Sequence, residues 1–128
     1  MKVLGIGVDI VDNKRIKTSI KNSKFKNRIY SSKELKQSIL SRNKANYFSK
    51  RFAAKEAFAK ALGTGFRKNL NYKDIEVIND RMGKPYFAKS KKITKLVQKN
   101  FKIKKFNCFL SISDEKDYST AFTIIQSK

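Results

Sequence analysis

The chain has 128 residues with 31 Lys and Arg against 10 Asp and Glu, so its formal net charge is +21; this length suits one domain, residues 1–128. Histidine is absent and Cys108 is the single cysteine, which excludes histidine-based catalysis, an internal disulfide and multi-cysteine metal clusters. No apolar run approaches the ~20 residues of a membrane span, so we expect a cytoplasmic protein without a membrane partner.

Apolar residues alternate along residues 3–11, which predicts a β-strand. Its other face carries Gly5, Gly7 and Asp9, so we expect open space beside a carboxylate near the end of the strand. In the alternative interpretation, the glycines mark a β-bulge and Asp9 or Asp12 caps the following helix.

The next predicted element is a helix over residues 12–22, with Asp12 as its N-cap. Lysines recur along it at helical spacing, with an arginine beside them. The residues of this basic stripe are Lys14, Arg15, Lys17 and Lys21. Such a stripe is either a solvated face or a surface for an anionic partner.

Two more helices are predicted before the middle of the chain. A capping box from Ser31 to Glu34 begins a short helix that runs through about residue 40. The longest helical pattern covers residues 45–62, and Gly63 follows as its C-cap.

Charged residues lie on two neighbouring ridges of this long helix. Phe52, Glu56 and Lys60 are four residues apart and share one ridge, and Arg51 and Lys55 share the adjacent one. Considered alone, Glu56 and Lys60 are an exposed ion pair that contributes about 0.3–0.5 kcal/mol.

The second half of the chain contains more strand than helix. A hairpin is predicted over residues 74–79 and 84–88, with turn residues between them. The remaining elements are a helix over residues 89–101 and two strands over about 106–113 and 118–126. This order of strands and helices predicts an α+β fold.

A dense basic segment raises the question of a polyanionic partner. Residues 89–105 contain eight lysines and no acid, which supports nucleic-acid binding as an alternative function. That function would require exposed aromatic residues for base stacking. Phe101 and Phe106 are available, but their positions fit the core better.

Several motifs together are more specific than any pattern above. They are, in order, GIGVDI at residues 5–10, Arg15-Ile16, RFAAKEAFAKALGTG at residues 51–65, DIE at residues 74–76 and GKPY at residues 83–86. In type, order and spacing they closely resemble the holo-acyl-carrier-protein synthases of the 4′-phosphopantetheinyl transferase superfamily. The resemblance runs from Gly5 to about Phe122.

The resemblance implies an α+β fold in which a small antiparallel sheet packs against a long central helix. It implies transfer of 4′-phosphopantetheine from coenzyme A to a serine of apo-acyl carrier protein, with release of adenosine 3′,5′-bisphosphate. Asp9 and Glu56 would bind Mg²⁺ with the pyrophosphate, and Lys60 would lie against the phosphates. These residue types suit a hard cation and phosphoryl transfer. With no histidine available, either Glu56 or a metal-bound water is the base for the serine.

Further residues are implied at the cosubstrate. Those placed near coenzyme A are Arg51, Lys55, Lys60, Gly83, Lys84, Pro85, Ser111 and Ser113. Arg51 and Lys55 either meet the phosphates or only flank the site. The segment from Gly83 to Pro85 either contacts the nucleotide or is an ordinary hairpin turn.

The resemblance also implies macromolecular partners. An acidic carrier protein would dock on Arg15 and on the lysines of the basic stripe, and three copies of the chain would form a homotrimer with active sites at its interfaces. Apolar strand residues serve either a core or such an interface. They are Phe106, Cys108, Leu110, Phe122 and Ile124, and for Cys108 a small buried hydrophobe is the simplest role.

One position departs from the family's pattern. Where the family has Ser-His-Ser or Ser-His-Thr, with the histidine on the coenzyme A phosphates, this chain has Ser111-Ile112-Ser113. Since an apolar side chain cannot hydrogen-bond a pyrophosphate, we expect weaker binding or slower transfer unless Lys116 or another lysine compensates. A relative that binds coenzyme A without transferring it is therefore a third hypothesis.

Overall fold

The computed structural model describes residues 1–67 and 69–128. The helices are α1 (Asn13–Ser19), α2 (Ser23–Ile29), α3 (Ser32–Ser38), α4 (Lys44–Leu62) and α5 (Lys91–Phe101), and the strands are β1 (Val3–Asp12), β2 (Val77–Asn79), β3 (Pro85–Phe87), β4 (Phe106–Asp114) and β5 (Tyr118–Ser127). A 3-10 helix, Tyr72–Asp74, precedes β2. The predicted α+β class is confirmed.

The larger sheet has three antiparallel strands in the order β1-β5-β4, and β2 pairs with β3 in a separate hairpin. Ala121 of β5 pairs with Asp9 on one side and Ile112 on the other. Phe122 likewise lies between Val8 and Ser111. Because successive side chains of a strand point to opposite faces, these two rows lie on different faces of the sheet.

The inner face of the sheet packs closely on α4. A Cβ atom added to Gly5 would lie 1.9 Å from the carbonyl oxygen of Ala61, and one added to Gly7 would lie 1.9 Å from that of Ala57. The expectation of open space beside Asp9 was therefore wrong, because the helix backbone occupies the space that the glycines leave. A register shift between Val3 and Gly5 shows that the β-bulge interpretation was partly right.

The opposite face of the sheet remains uncovered in the single chain. Its exposed large apolar residues include Ile6, Val8, Ile10, Phe109 and Phe122, which are between 42% and 68% exposed. We call this surface the outer sheet face. Exposure at this level is unusual for five neighbouring large apolar side chains.

The five apolar strand residues of uncertain role divide between the two faces. Phe106 and Leu110 are buried in the core, and Cys108 and Ile124 are partly buried. Burial raises the pKa of the Cys108 thiol to about 11, against the charge of Lys89, so the thiol is neutral at physiological pH. This agrees with the expected role of Cys108 as a small packed residue.

Helix ends follow the predicted caps at three places. Asp12 accepts a hydrogen bond from the backbone of Lys14, and Ser31 and Glu34 form the complete capping box. Gly63 ends α4 with a φ angle of 81°, in the left-handed region that favours glycine.

Helix α2 was not predicted from the sequence. The Asn22 side chain accepts hydrogen bonds from the backbone of Lys24 and Phe25 and so begins a new helix, whereas the sequence pattern places Asn22 at the end of the first one. The predicted basic stripe is consequently interrupted, since α1 ends at Ser19 and Lys21 lies in the turn after it.

Candidate active site

Lys60 and Asp9 are brought together by the contact between α4 and β1. The Lys60 ammonium donates to the carbonyl oxygen of Val8 at 2.9 Å and to Asp9 Oδ1 at 3.1 Å. The Lys60 side chain is 54% exposed and that of Asp9 is 15% exposed, so this pair lies at the surface and within reach of a ligand. Lys60 is thus the ion-pair partner of Asp9, and the simple Glu56–Lys60 pair is not what the structure shows.

Glu56 lies one helical turn before Lys60 and contacts an unexpected partner. The hydroxyl of Tyr72 donates to Glu56 Oε1 at 2.5 Å. Burial raises the pKa of Tyr72, and the hydrogen bond to Glu56 and the negative charges of Glu56 and Asp9 raise it further, against the effect of Arg28. The Tyr72 hydroxyl therefore keeps its proton and donates it in the hydrogen bond to Glu56.

Tyr72 was not among the predicted site residues. In the sequence it stands two positions before Asp74 and carries no motif of its own. Only the folding of the 3-10 helix against α4 places its hydroxyl at Glu56.

Lys55 is buried instead of facing a ligand. Its side chain is 0% exposed, and its ammonium donates to Glu34 Oε1 at 2.7 Å and to the carbonyl oxygens of Ile75 and Tyr72 at 2.6 and 3.0 Å. These bonds use all three of its donors. The placement of Lys55 at the coenzyme A phosphates is therefore corrected to a structural role.

Glu34 is the matching buried carboxylate. It also accepts hydrogen bonds from the backbone of Ser31 and Val77, both at 2.9 Å. Burial lowers the pKa of Lys55, while the charge of Glu34 and the hydrogen bond to it raise it. This pair joins α3, α4 and the start of β2 in the core.

Arg51 lies at a small cavity. Its Nη2 donates to Asn79 Oδ1 at 2.6 Å, and its guanidinium lies 3.7 Å from the centre of the Tyr47 ring. The Arg51 Nε is buried and has no hydrogen-bond partner among the described residues. A buried donor without a partner is the kind of group that a bound anion satisfies.

The cavity beside Arg51 has a volume of about 160 Å³ and gathers several predicted residues. Gly83 and Pro85 line it, and so does Ile112, where the resemblance predicts a histidine. Lys50 also lines this cavity. Lys116 instead lines a separate cavity beside α1, so of the two lysines Lys50 is the one beside Ile112.

Three predicted contacts are not brought to this cavity within one chain. Ser111 and Ser113 are exposed on the other side of the sheet from Ile112, because neighbouring residues of β4 alternate in direction. Lys84 is exposed in the β2–β3 turn, where Gly83 has a φ angle of 86°. The prediction that these residues meet the same ligand is not supported by the single chain.

The basic residues of α1 lie at the surface. Lys14, Arg15 and Lys17 are exposed, and Lys14 and Lys17 line the cavity of about 460 Å³ beside α1. Arg42 and Lys116 add further positive charge there. This part of the surface is thus suited to an acidic partner.

Comparisons with known proteins show the family and the fold of this chain. A family model described as the 4′-phosphopantetheinyl transferase superfamily matches residues 5–123. A holo-[acyl-carrier-protein] synthase of Pelagibacter ubique is 61% identical over 128 residues, covering 100% of both chains. The crystal structure of a holo-[acyl-carrier-protein] synthase from Neisseria meningitidis superposes with a TM-score of 0.87 at 38% identity, covering 98% of this chain and 99% of that one.

A second similar solved structure contains a bound ligand. It is a holo-(acyl-carrier-protein) synthase from Bacillus anthracis in complex with CoA (3′,5′-ADP), with a TM-score of 0.82, 32% identity and 100% coverage of both chains. The chain therefore belongs to the 4′-phosphopantetheinyl transferase superfamily. Within that superfamily it groups with the holo-acyl-carrier-protein synthases, as its motifs predict. No helix in residues 1–67 and 69–128 is long and apolar enough to cross a membrane.

Proposed function

We propose that the protein transfers 4′-phosphopantetheine from coenzyme A to a serine of apo-acyl carrier protein, in the cytoplasm and with Mg²⁺, releasing adenosine 3′,5′-bisphosphate. The observation that carries the proposal is the ion pair between Lys60 of α4 and Asp9 of β1, with Glu56 one helical turn before Lys60 on the same ridge of α4. Family membership supports the reaction type.

The donor set fits Mg²⁺. Asp9 and Glu56 offer hard carboxylate oxygens, and no group of three or more potential ligating side chains exists among the described residues. A Mg²⁺ site with few protein carboxylates completes its shell with phosphate and water, as a pyrophosphate cosubstrate allows. When bound, the ion would neutralise charge on the phosphates during transfer.

The chain's own residues supply binding and charge. Lys60 is half-exposed, and its ammonium can leave Asp9 to meet a phosphate oxygen. At the other cavity, Arg51 offers its unpartnered Nε beside Gly83 and Pro85, which suits the nucleotide part of coenzyme A.

A homotrimer is part of the proposal. The exposed residues Ile6, Val8 and Phe122 lie together on the outer sheet face, where a second copy of the chain would bury them. Ser111 and Ser113 lie on that same face, so an interface there would bring them to a ligand that the single chain cannot offer them.

The nucleic-acid alternative finds less support. Phe106 is 5% exposed and Phe101 packs against the core, so neither is available for base stacking. The lysines of residues 89–105 then form a charged surface without the aromatic component that this alternative requires.

The decisive experiment follows the mass of apo-acyl carrier protein incubated with the protein, coenzyme A and Mg²⁺. We expect a gain of one phosphopantetheine, which chelator abolishes and which Asp9→Ala and Glu56→Ala each reduce at least 100-fold. Lys33→Ala, an exposed change on α3, is the control that should leave the rate unchanged.

If no mass gain is seen, binding measurements with coenzyme A and with an oligonucleotide distinguish the two alternative functions. Coenzyme A binding without any mass gain identifies a relative that has lost transfer, as the replacement of the histidine by Ile112 would explain. Salt-sensitive oligonucleotide binding without coenzyme A binding identifies the nucleic-acid alternative.

A further inference from the structure

The carboxylate of Glu56 is held by a tyrosine that is itself rigidly packed. The Tyr72 ring lies between two phenylalanines, 3.7 Å from the Phe66 ring centre at 20° and 5.6 Å from that of Phe52 at 17°. Phe52 stacks in turn on Phe25 at 6.3 Å. A ring held on both faces has little freedom to move its hydroxyl away from Glu56.

The backbone of Tyr72 is also held by contacts with neighbouring elements. Its carbonyl oxygen accepts from the buried Lys55 ammonium at 3.0 Å. The 3-10 helix is closed by Asp74, which accepts from the backbone of Asn71 at 2.9 Å and pairs with Lys92 at 2.6 Å. Two consecutive residues of α4 therefore hold the two ends of Tyr72, Lys55 at its carbonyl and Glu56 at its hydroxyl.

In this arrangement the second carboxylate oxygen of Glu56 is available to bind a ligand. Oε1 accepts the Tyr72 hydroxyl at 2.5 Å, and Oε2 accepts no hydrogen bond from any described residue. A glutamate side chain has three rotatable bonds, so a free carboxylate would lose that freedom on binding an ion. A carboxylate that is already hydrogen-bonded at one oxygen loses less conformational freedom when it binds an ion.

We propose that Tyr72 is a positioning residue, whose hydroxyl orients the Glu56 carboxylate so that its second oxygen is ready for a divalent cation. The inference rests on the proposed function, since it concerns the same cation site. Hydrogen-bonded partners of metal ligands typically contribute 10- to 100-fold to metal affinity. Because Tyr72 is partly exposed, we expect the lower end of that range here.

The test is Tyr72→Phe, which removes only the hydroxyl and keeps the stacked ring. The matched control is Tyr30→Phe, which removes a buried hydroxyl that donates to the Phe48 carbonyl of α4 at 2.8 Å and not to Glu56. Mn²⁺ binding is titrated by electron paramagnetic resonance on the full chain with saturating coenzyme A and no carrier protein. Thermal unfolding and the Mg²⁺ dependence of transfer are measured on the same samples.

We expect Tyr72→Phe to raise the Mn²⁺ dissociation constant about 10-fold with an unchanged unfolding temperature. Transfer by this variant should need more Mg²⁺ but reach the wild-type kcat at saturation. Tyr30→Phe should lower the unfolding temperature and leave the dissociation constant unchanged.

Equal Mn²⁺ affinity in wild type and Tyr72→Phe would overturn the role of Tyr72 and leave the proposed function intact. Parallel loss of affinity and unfolding temperature in Tyr72→Phe would also overturn it, because the hydroxyl would then act only on stability. Failure of the wild-type protein itself to bind Mn²⁺ would overturn the metal site and, with it, the proposed function.

Discussion

Lys55 and Glu56 are neighbours in sequence with opposite surroundings. Lys55 points into the core, where Glu34 and two carbonyl oxygens satisfy it, whereas Glu56 faces Tyr72 at the edge of the site. Adjacent residues of a helix lie about 100° apart around its axis. Lys55 can therefore face the core while Glu56, the next residue of α4, faces the candidate site. Arg51 and Lys55 share a ridge, yet the structure associates only Arg51 with a cavity.

This assignment predicts the effect of Lys55→Met. Loss of the ammonium leaves the carboxylate of Glu34 buried with no counter-ion, which typically costs about 3–5 kcal/mol in the free energy of unfolding. Urea titration measures this loss. Lys60→Met is the matched control, since its half-exposed ion pair contributes little to stability.

The functional readout separates the two roles of these lysines. Folded Lys55→Met, assayed at low temperature, should keep the wild-type affinity for coenzyme A, whereas Lys60→Met should lose transfer activity. Wild-type stability together with weak coenzyme A binding in Lys55→Met would restore Lys55 as a phosphate ligand.

At the scale of elements, the contact between β1 and α4 decides where the site lies. Gly5 and Gly7 allow the strand to approach the helix backbone, and this closeness brings Asp9 within hydrogen-bond distance of Lys60. The sequence pattern indicated that the glycines and the carboxylate lie together. It predicted, however, that the space beside the glycines would be open to a ligand, whereas α4 occupies it.

Helix α1 is the element that we expect the acidic carrier protein to contact. Arg15→Glu should raise the KM for the carrier about 10-fold and leave the KM for coenzyme A unchanged, because it places like charges across the interface. Steady-state kinetics with each substrate varied in turn measures both values. The effect should shrink at high salt.

Lys33→Glu provides the control for net charge, since it makes the same change on exposed α3. An equal rise in KM for both variants would mean that the overall charge of +21 attracts the carrier and that α1 has no special part.

For the whole molecule, the outer sheet face is the feature that a single chain leaves unexplained. Ile6, Val8 and Ile10 are each more than half exposed on the edge strand β1. An exposed apolar edge strand promotes association between chains. A closed symmetric assembly buries such a strand without leading to open-ended aggregation.

We therefore expect light scattering to give the mass of three chains for the wild-type protein. Val8→Glu should give monomers with strongly reduced transfer activity, because charge at the centre of the interface opposes association. Leu40→Glu, which changes an apolar residue that is 86% exposed after α3, should remain trimeric. A monomeric wild type or a trimeric Val8→Glu would contradict this assembly.

The family and the α+β class could be read from the sequence, which also predicts Asp9, Glu56 and Lys60 as candidate site residues. These follow from local signals: motif spacing, helix caps and hydrophobic periodicity each involve residues close together in the chain. The short helix α2 was missed because Asn22 can end one helix or begin the next, and the local pattern is the same in both cases.

The contacts of each of these residues depend on parts of the chain that are distant in sequence. The burial of Lys55 depends on Glu34, 21 residues earlier, and the hold on Glu56 depends on Tyr72, 16 residues later. The apolar alternation of β1 predicted a strand but not which face would be covered, since the period of two is the same for both. Helix α4 covers the face that carries Gly5 and Gly7, because the two backbones can approach each other closely only where side chains are absent.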